Sequence, residues 1–228
     1  MALDAAAFKK RTFTAILFAV VMLAGLLLNR WSFILLFVII HFGCWYEYVK
    51  LMKSIRAARP IFYIPLGLLY ITVPSLLMIC LRLTPVNHTL RIDDNYLKVI
   101  PCGIIFSIWI NDTMAYISGS FIGKTPFSKI SPKKTWEGTI GGALLCVIVI
   151  GLIGWAVNIY SIKDWLIISS ICAVFGTAGD LLESKLKRMA GVKDSGSLLP
   201  GHGGFLDRFD SWLVATPFVW IYVYFLMG

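Results

Sequence analysis

The stretch GTIGGALLCVIVIGLIGWAV, residues 138–157, contains no charged side chain. About 20 consecutive apolar residues in a helix are enough to cross the hydrocarbon core of a bilayer, so this stretch predicts a membrane-spanning helix. Three small residues near its start, Gly138, Gly141 and Gly142, indicate close packing against a neighbouring helix. The fold therefore depends on how many such stretches the chain contains.

Six further apolar runs flank this stretch. Together the predicted spans are 12–28, 31–49, 61–81, 99–121, 138–157, 165–182 and 209–227. The composition agrees, since 58% of the 228 residues are hydrophobic, 14% are charged and the mean hydropathy is +0.80. These values exclude a soluble globular enzyme. We expect an all-α, polytopic membrane helix bundle of about seven spans, built as a single domain over residues 1–228.

Basic residues are distributed unequally between the loops that connect these spans. Of the 21 Lys and Arg residues, 16 fall on one side and 5 on the other. Because cytoplasmic loops carry the excess of Lys and Arg, the distribution predicts a cytoplasmic amino terminus and an odd number of spans. It also places two long polar loops, 123–137 and 185–208, on the cytoplasmic side.

Polar and ionisable side chains interrupt several of these apolar runs. A carboxylate in hydrocarbon costs several kcal/mol, so it persists only where it is paired, bound to a metal or open to water. Asn111 and Asp112 lie halfway along the fourth span. Four residues spaced i, i+3, i+4 and i+7 share one helix face where the sixth span meets the cytoplasm: Asp180, Glu183, Ser184 and Lys187. These positions are the first candidates for a functional site.

The seventh span begins with two carboxylates, Asp207 and Asp210, spaced i, i+3. Carboxylates without cysteine, and with one histidine nearby, suit a hard cation such as Mg²⁺ better than zinc. The predicted metal ligands are Asp180, Glu183, Asp207 and Asp210. The spacing leaves an alternative open, an interfacial salt-bridge network with Lys187, Arg188 and Arg208.

The two cytoplasmic loops carry residues suited to phosphate. Loop 123–137 holds four lysines and four hydroxyl groups, although lysines there are also expected from topology or attraction to lipid headgroups. Segment 191–205 holds five glycines and a proline beside Lys193, Asp194 and His202, which favours a backbone that approaches a ligand closely over a flexible connector. Together the loops and the carboxylates indicate a metal-dependent phosphoryl site acting on a lipid.

Three motifs carry a family resemblance. Residues 184–210 contain S-x-L-K-R-x4-K-D-x-G-x2-L-P-x-H-G-G-F-x-D-R-F-D, preceded by W-x-N-D-T-x-A-Y at 109–116 and S-P-K-K-T-W-E-G at 131–138. In this order they resemble the phosphatidate cytidylyltransferase family, also called CDP-diacylglycerol synthases. The similarity covers roughly the last 70% of the chain, so we expect residues 61–228 to form the catalytic half and residues 1–60 to add amino-terminal helices.

The resemblance implies an activity and a set of residue roles. CTP and phosphatidate would react to give CDP-diacylglycerol and pyrophosphate, with Mg²⁺ and with a second cation left open, in phospholipid biosynthesis at the cytoplasmic face of the inner membrane. A homodimer is left open, and no nucleic acid is expected. The residues expected to be catalytic are Asp180, Asp207, Lys187 and Lys134. Those expected to bind substrate are Asn111, Asp112, Lys133, Lys134, Thr135, Ser184, Lys187, Arg188, Lys193, Asp194, His202, Gly203, Gly204 and Arg208.

Two other functions stay open at this point. A CTP-dependent lipid kinase of the polyprenol or phytol type would transfer the γ-phosphoryl group of CTP instead. A proton-coupled transporter would explain the carboxylates Asp112 and Asp180 within spans, because buried carboxylates serve in proton relays. It would not explain the glycine-rich loop around His202.

Overall fold

The computed structural model describes residues 5–55, 60–85, 94–196 and 203–227. We number its helices in chain order. They are α1 (Ala5–Leu27), α2 (Arg30–Ser54), α3 (Pro60–Gly67), α4 (Val73–Leu83), α5 (Asp94–Leu97), α6 (Val99–Ile122), α7 (Trp136–Val157), α8 (Ile162–Met189) and α9 (Leu206–Phe225). A π-helical segment, Leu68–Thr72, joins α3 to α4. Across the described ranges there is no strand, so the all-α class is confirmed.

Five helical stretches among the described residues are long and apolar enough to cross a membrane: Arg30–Ser54, Phe62–Leu83, Asp94–Ile122, Trp136–Val157 and Ile162–Met189. The apolar part of α1, Thr12–Leu27, is shorter, and α9 carries charged residues in its first turns. The chain is therefore built as an integral membrane protein. The count of seven spans and the cytoplasmic amino terminus stay predictions.

One face of α7 is apolar and is not covered by other helices of the bundle. Leu144, Ile148, Leu152 and Trp155 recur every three or four residues and are each more than half exposed. In water such a continuous apolar helix face would be unfavourable, whereas lipid tails solvate it without cost. The opposite face of α7 packs on α6 and α8.

Capping side chains fix where the helices begin and end. The Asn29 side chain accepts hydrogen bonds from the backbone N–H groups of Trp31 and Ser32 at the start of α2. Thr135 Oγ1 accepts from Gly138 N in the same way at the start of α7. Asn158 ends α7 in the left-handed conformation, with φ of 52°. These caps satisfy backbone groups that the helix itself leaves without partners.

Small residues bring the helices that carry the site into close contact. A Cβ atom added to Gly142 of α7 would lie 2.7 Å from the backbone nitrogen of Ala115 in α6. One added to Gly179 of α8 would lie 2.5 Å from the carbonyl oxygen of Asp210 in α9. The contact between α6 and α7 agrees with the packing role expected of the glycines that open the fifth predicted span. Because the glycines permit near contact of the backbones, polar residues on α6, α8 and α9 lie close together.

The second cytoplasmic loop is shorter than predicted. Helix α8 continues to Met189 and α9 begins at Leu206, so the loop spans 190–205 instead of 185–208. Hydrophobicity marks where a span leaves the membrane, whereas a helix continues as long as its residues favour it. Lys185, Lys187 and Arg188 are good helix formers, and Gly191, at φ of 72°, follows the last turn.

Candidate active site

A cavity of about 430 Å³ opens between α6, α7, α8 and the loop that precedes α7. Six of the predicted site residues are among those that line it: Asn111, Asp112, Lys133, Lys134, Thr135 and Asp180. The Asn111 side chain is buried, and its Oδ1 atom has no hydrogen-bond partner within the described part of the chain. The cavity thus combines two lysines with carboxylate and amide oxygens, as a site for a metal ion and phosphates requires.

An ion pair joins the two sides of this cavity. Lys134 Nζ lies 2.5 Å from Asp180 Oδ2, and each side chain is about one-third exposed, at 32% and 30%. The pair connects the loop before α7 to α8, and these two segments are too far apart in sequence for a local pattern to predict the contact. Two residues predicted to be catalytic are therefore in direct contact.

The loop that carries Lys133 and Lys134 is held by the first turn of α7. The Glu137 carboxylate accepts hydrogen bonds from the backbone N–H groups of Lys124 and Thr125, and from Thr125 Oγ1 at 2.8 Å. Backbone bonds join Phe127 N to Lys134 O and Trp136 N to Thr125 O. The loop is consequently a closed turn that fixes the position of its lysines relative to α7.

A second cluster lies close to Asp180 along α8. Lys187 Nζ lies 2.5 Å from Glu183 Oε2 and 2.6 Å from Asp207 Oδ1. All three side chains are largely buried, with exposed fractions of 12% for Lys187, 0% for Glu183 and 9% for Asp207. The salt-bridge network that the spacing left open is thus present at Lys187. It joins α8 to the first turn of α9.

The Asp207 carboxylate is surrounded by donors. Its Oδ2 atom accepts hydrogen bonds from Ser195 N and Gly204 N, both within 2.9 Å, and lies 2.9 Å from Ser195 Oγ. Asp207 precedes the predicted apolar span, which begins at residue 209. Burial raises its pKa, but the Gly204 N–H and the Lys187 ammonium outweigh this and hold the pKa at about 2. The carboxylate is therefore ionised at neutral pH and oriented by both the loop and α8.

The four predicted metal ligands divide into two groups. Asp210 is buried and accepts a hydrogen bond from Ser211 N at 2.7 Å, and its backbone carbonyl lies against Gly179 of α8. Asp207 and Glu183 instead face Lys187. Within the described ranges no three His, Cys, Asp or Glu side chains form a metal-binding cluster. The structure thus brings Glu183 and Asp207 together through Lys187 and places Asp180 in the cavity.

The remaining predicted residues lie around these clusters. Arg188 is exposed and donates to the carbonyl oxygen of Val192, and Lys193 and Asp194 are also exposed. Gly203 adopts φ of 83°, and a Cβ atom there would lie 2.6 Å from Asp207 Oδ2, so glycine is required. Ser184 is partly exposed on α8, and Arg208 is exposed in the first turn of α9. His202 lies outside the described residues.

Sequence reasoning did not assign a role to three residues that shape the site. Glu137 holds the lysine loop, Ser195 donates to Asp207, and Glu47 of α2 accepts a hydrogen bond from Ser195 Oγ at 2.6 Å. A signal existed for Glu47, because it is an ionisable residue inside a predicted span. Ser195 carried no signal of its own in a loop rich in glycine and serine.

Comparison with known proteins identifies the family. A model of the cytidylyltransferase family matches residues 75–226, two-thirds of the chain. The chain belongs to the cytidylyltransferase family. The match begins inside α4 and ends in the residue after α9, so it contains every residue that lines the cavity and both ion-pair clusters. The resemblance inferred from the motifs is thereby confirmed.

Curated relatives of the family agree. A phosphatidate cytidylyltransferase of Staphylococcus saprophyticus is 49% identical over 113 residues, which cover 48% of this chain and 43% of that protein. One from Staphylococcus haemolyticus is 46% identical over the same coverage. Phosphatidate cytidylyltransferase 4, chloroplastic, of Arabidopsis thaliana is 44% identical over 49% of this chain and 29% of that protein. The alignments thus span less than half the length of these curated relatives.

Proposed function

We propose that this chain transfers the cytidylyl group of CTP to phosphatidate, forming CDP-diacylglycerol and releasing pyrophosphate. The observation that carries the proposal is the position of two cation and carboxylate clusters at one end of an apolar bundle, Lys134 with Asp180 and Lys187 with Asp207. Such a site can hold a polyanionic nucleotide and a lipid phosphate while the acyl chains stay in the bilayer. The names of the relatives support the same reaction.

In the proposed reaction the attacking atom is a phosphate oxygen of phosphatidate. The second pKa of a phosphate monoester is about 6, so this oxygen is already ionised at neutral pH and needs no general base. It forms a bond to the α-phosphorus of CTP while the bond from that phosphorus to the bridging oxygen breaks, and pyrophosphate leaves with the electron pair. The barrier is mainly repulsion between anions, which positioned cations lower.

The lysines supply the positive charge in this proposal. Lys133 and Lys134 line the cavity and would bind the phosphates of CTP. Lys187, fixed between two carboxylates, would stabilise charge on the reacting phosphates, and Arg188, Lys193 and Arg208 would add long-range attraction. His202, Gly203 and Gly204 belong to the glycine-rich loop whose backbone is expected to approach the phosphates closely. Ser184 and Asp194 remain candidates for contacts with substrate.

We propose Mg²⁺ as the cofactor. Mg²⁺ is usually held by one or two carboxylates together with substrate phosphates. Asp180 faces the cavity beside Asp112 and Asn111, so these oxygens and the phosphates of CTP could complete its coordination. When bound, the ion would neutralise the nucleotide and stabilise the departing pyrophosphate. Asp210 is the next candidate ligand, while the predicted ligands Glu183 and Asp207 would have to exchange Lys187 for the metal.

We further propose seven spans, with the amino terminus and the active site on the cytoplasmic side of the inner membrane. The support is the 16 to 5 distribution of basic residues between the two sides. Lys134 and Lys187 lie on the side with the excess. CTP is a cytoplasmic metabolite, so a cytoplasmic site would meet its nucleotide directly.

The test distinguishes cytidylyl transfer from its alternatives. Purified protein is incubated with CTP labelled at the α-phosphorus, phosphatidate and Mg²⁺, and the products are separated into lipid and aqueous phases. Label in the lipid supports the proposal. Label that remains in aqueous CDP, with phosphorylated lipid formed, would instead indicate a lipid kinase. Proton-linked uptake into vesicles without consumption of CTP would indicate a transporter.

A further inference from the structure

We infer that Glu47 is a positioning residue for the active site, acting from α2, a helix outside the region that the family model matches. Its side chain is 3% exposed, in the carboxyl-terminal half of a helix apolar enough to span a membrane. A buried carboxylate is costly unless hydrogen bonds compensate for the lost water. The partners of Glu47 therefore indicate what this carboxylate does.

Among the described residues, two hydrogen-bond partners of Glu47 come from the segment around Asp207. Its Oε2 atom accepts a hydrogen bond from Ser195 Oγ at 2.6 Å and another from the backbone N–H of Leu206 at 2.9 Å. Ser195 precedes residues 197–202 in the chain, and Leu206 follows them as the first residue of α9. One carboxylate of α2 thus holds the two flanks of that segment.

The glycines beside these partners show how closely Glu47 approaches the loop. A Cβ atom added to Gly196 or to Gly204 would collide with the Glu47 carboxylate. Neither glycine has a positive φ, so the requirement for glycine at these positions comes from Glu47 and not from the backbone conformation. The loop backbone therefore packs directly against the Glu47 carboxylate.

Ser195 connects Glu47 to the catalytic cluster. Its Oγ atom lies 2.6 Å from Glu47 Oε2 and 2.9 Å from Asp207 Oδ2, so the hydroxyl group lies between the two carboxylates. Asp207 Oδ1 in turn contacts Lys187 at 2.6 Å. A continuous series of contacts therefore runs from α2 through Ser195 and Asp207 to Lys187. Removing Glu47 would shift the ammonium and the carboxylate proposed to act on the phosphates, without removing either.

The expected change in kcat rests on the proposed function. The expected loss of order around Asp207 does not. Glu47→Leu removes the acceptor at similar volume, whereas Glu47→Gln keeps an oxygen that can accept both hydrogen bonds. We expect kcat of Glu47→Leu to fall about 10- to 100-fold with little change in KM for CTP. Removal of a residue that supports a functional group typically has an effect of this size. We expect Glu47→Gln to restore most of that loss. A residue that only fills space would not distinguish leucine from glutamine in this way.

Asp164 provides a matched control. It is also a buried carboxylate that accepts two hydroxyl hydrogen bonds, from Ser161 Oγ at 2.6 Å and Tyr222 Oη at 2.7 Å. It lies at the other end of α8, about 34 Å from Lys187 at 1.5 Å per residue. Asp164→Leu should lower the unfolding temperature as Glu47→Leu does while leaving kcat of the folded protein unchanged. Equal effects of both variants on kcat would overturn the inference.

Hydrogen exchange separates this inference from the proposed reaction. In Glu47→Leu the amides of residues 195 and 203–207 should exchange faster than in the natural protein, while those of α7 stay protected. This result supports the positioning role even if the natural protein forms no CDP-diacylglycerol. Unchanged exchange in this segment would overturn it. If Glu47→Leu does not fold, Ser195→Ala decides, since faster exchange at residues 203–207 supports the role and unchanged exchange contradicts it.

Discussion

Replacement of Lys187 by methionine would remove the only positive charge that directly contacts two buried carboxylates in the described structure. Lys187 Nζ lies 2.5 Å from Glu183 Oε2 and 2.6 Å from Asp207 Oδ1. Methionine has a similar length but carries no charge, so Glu183 and Asp207 would face each other in a buried environment. Breaking one buried ion pair typically costs about 3–5 kcal/mol. We therefore expect Lys187→Met to lower the free energy of unfolding by about that amount.

The same change should remove activity. An ammonium group aimed at charge that develops on the reacting phosphates is worth about 100-fold or more in kcat. Adding Glu183→Gln to Lys187→Met removes one of the two buried charges, so it should recover part of the lost stability. It should not recover kcat, because the ammonium is still absent. The combination separates the structural role of Lys187 from its catalytic role.

Lys185 is the matched control, since it is exposed on the same helix two residues away. Lys185→Met should change stability by less than about 0.5 kcal/mol and leave kcat unchanged. Unfolding would be followed by thermal denaturation in detergent, and activity by initial rates with CTP and phosphatidate. If Lys187→Met proves as stable and as active as Lys185→Met, the assignment of the buried cluster is wrong.

Three further predictions follow from other contacts. Asp180→Asn should abolish turnover without changing the unfolding temperature, and near-normal rates in the purified variant would exclude Asp180 as a metal ligand. Glu137→Gln should weaken the hydrogen bonds that hold the lysine loop and so raise KM for CTP several-fold, which corresponds to about the loss of one charge-assisted hydrogen bond. An unchanged KM would contradict this role of Glu137. Arg82 is 1% exposed and lies 2.8 Å from Asp94, which is 46% exposed. Because water reaches the carboxylate left behind, Arg82→Met should lower stability by about 1 kcal/mol while kcat of the folded protein stays unchanged.

The architecture could be predicted largely from local sequence. Hydrophobicity over about 20 residues indicates a span directly, because a helix needs about that many predominantly apolar residues to cross the hydrocarbon core. The predicted span 99–121 differs from α6 by one residue, and the span 138–157 lies within α7. At the end of α8 the sequence is polar from residue 185, yet the chain is helical as far as Met189, so hydropathy does not report where this helix ends.

The candidate site could be predicted only in its residue types. Asp180, Lys187 and Asp207 stand out because charged residues beside apolar sequence are costly without a role, whereas Lys134 stands out as part of a loop rich in lysines and hydroxyl groups and of a family motif. Their pairing could not be predicted, since it depends on which helices are neighbours. The contact between Glu47 and Ser195 joins residues 148 positions apart, and no periodicity in either segment indicates the other.

The most direct test of the account measures pyrophosphate release by the purified protein in the presence of CTP, Mg²⁺ and phosphatidate. The account predicts release that requires both substrates, with one CDP-diacylglycerol formed for each pyrophosphate, and loss of both products in Asp180→Asn. Release of pyrophosphate without phosphatidate, or no release with several different phosphatidates, would contradict cytidylyl transfer to this lipid.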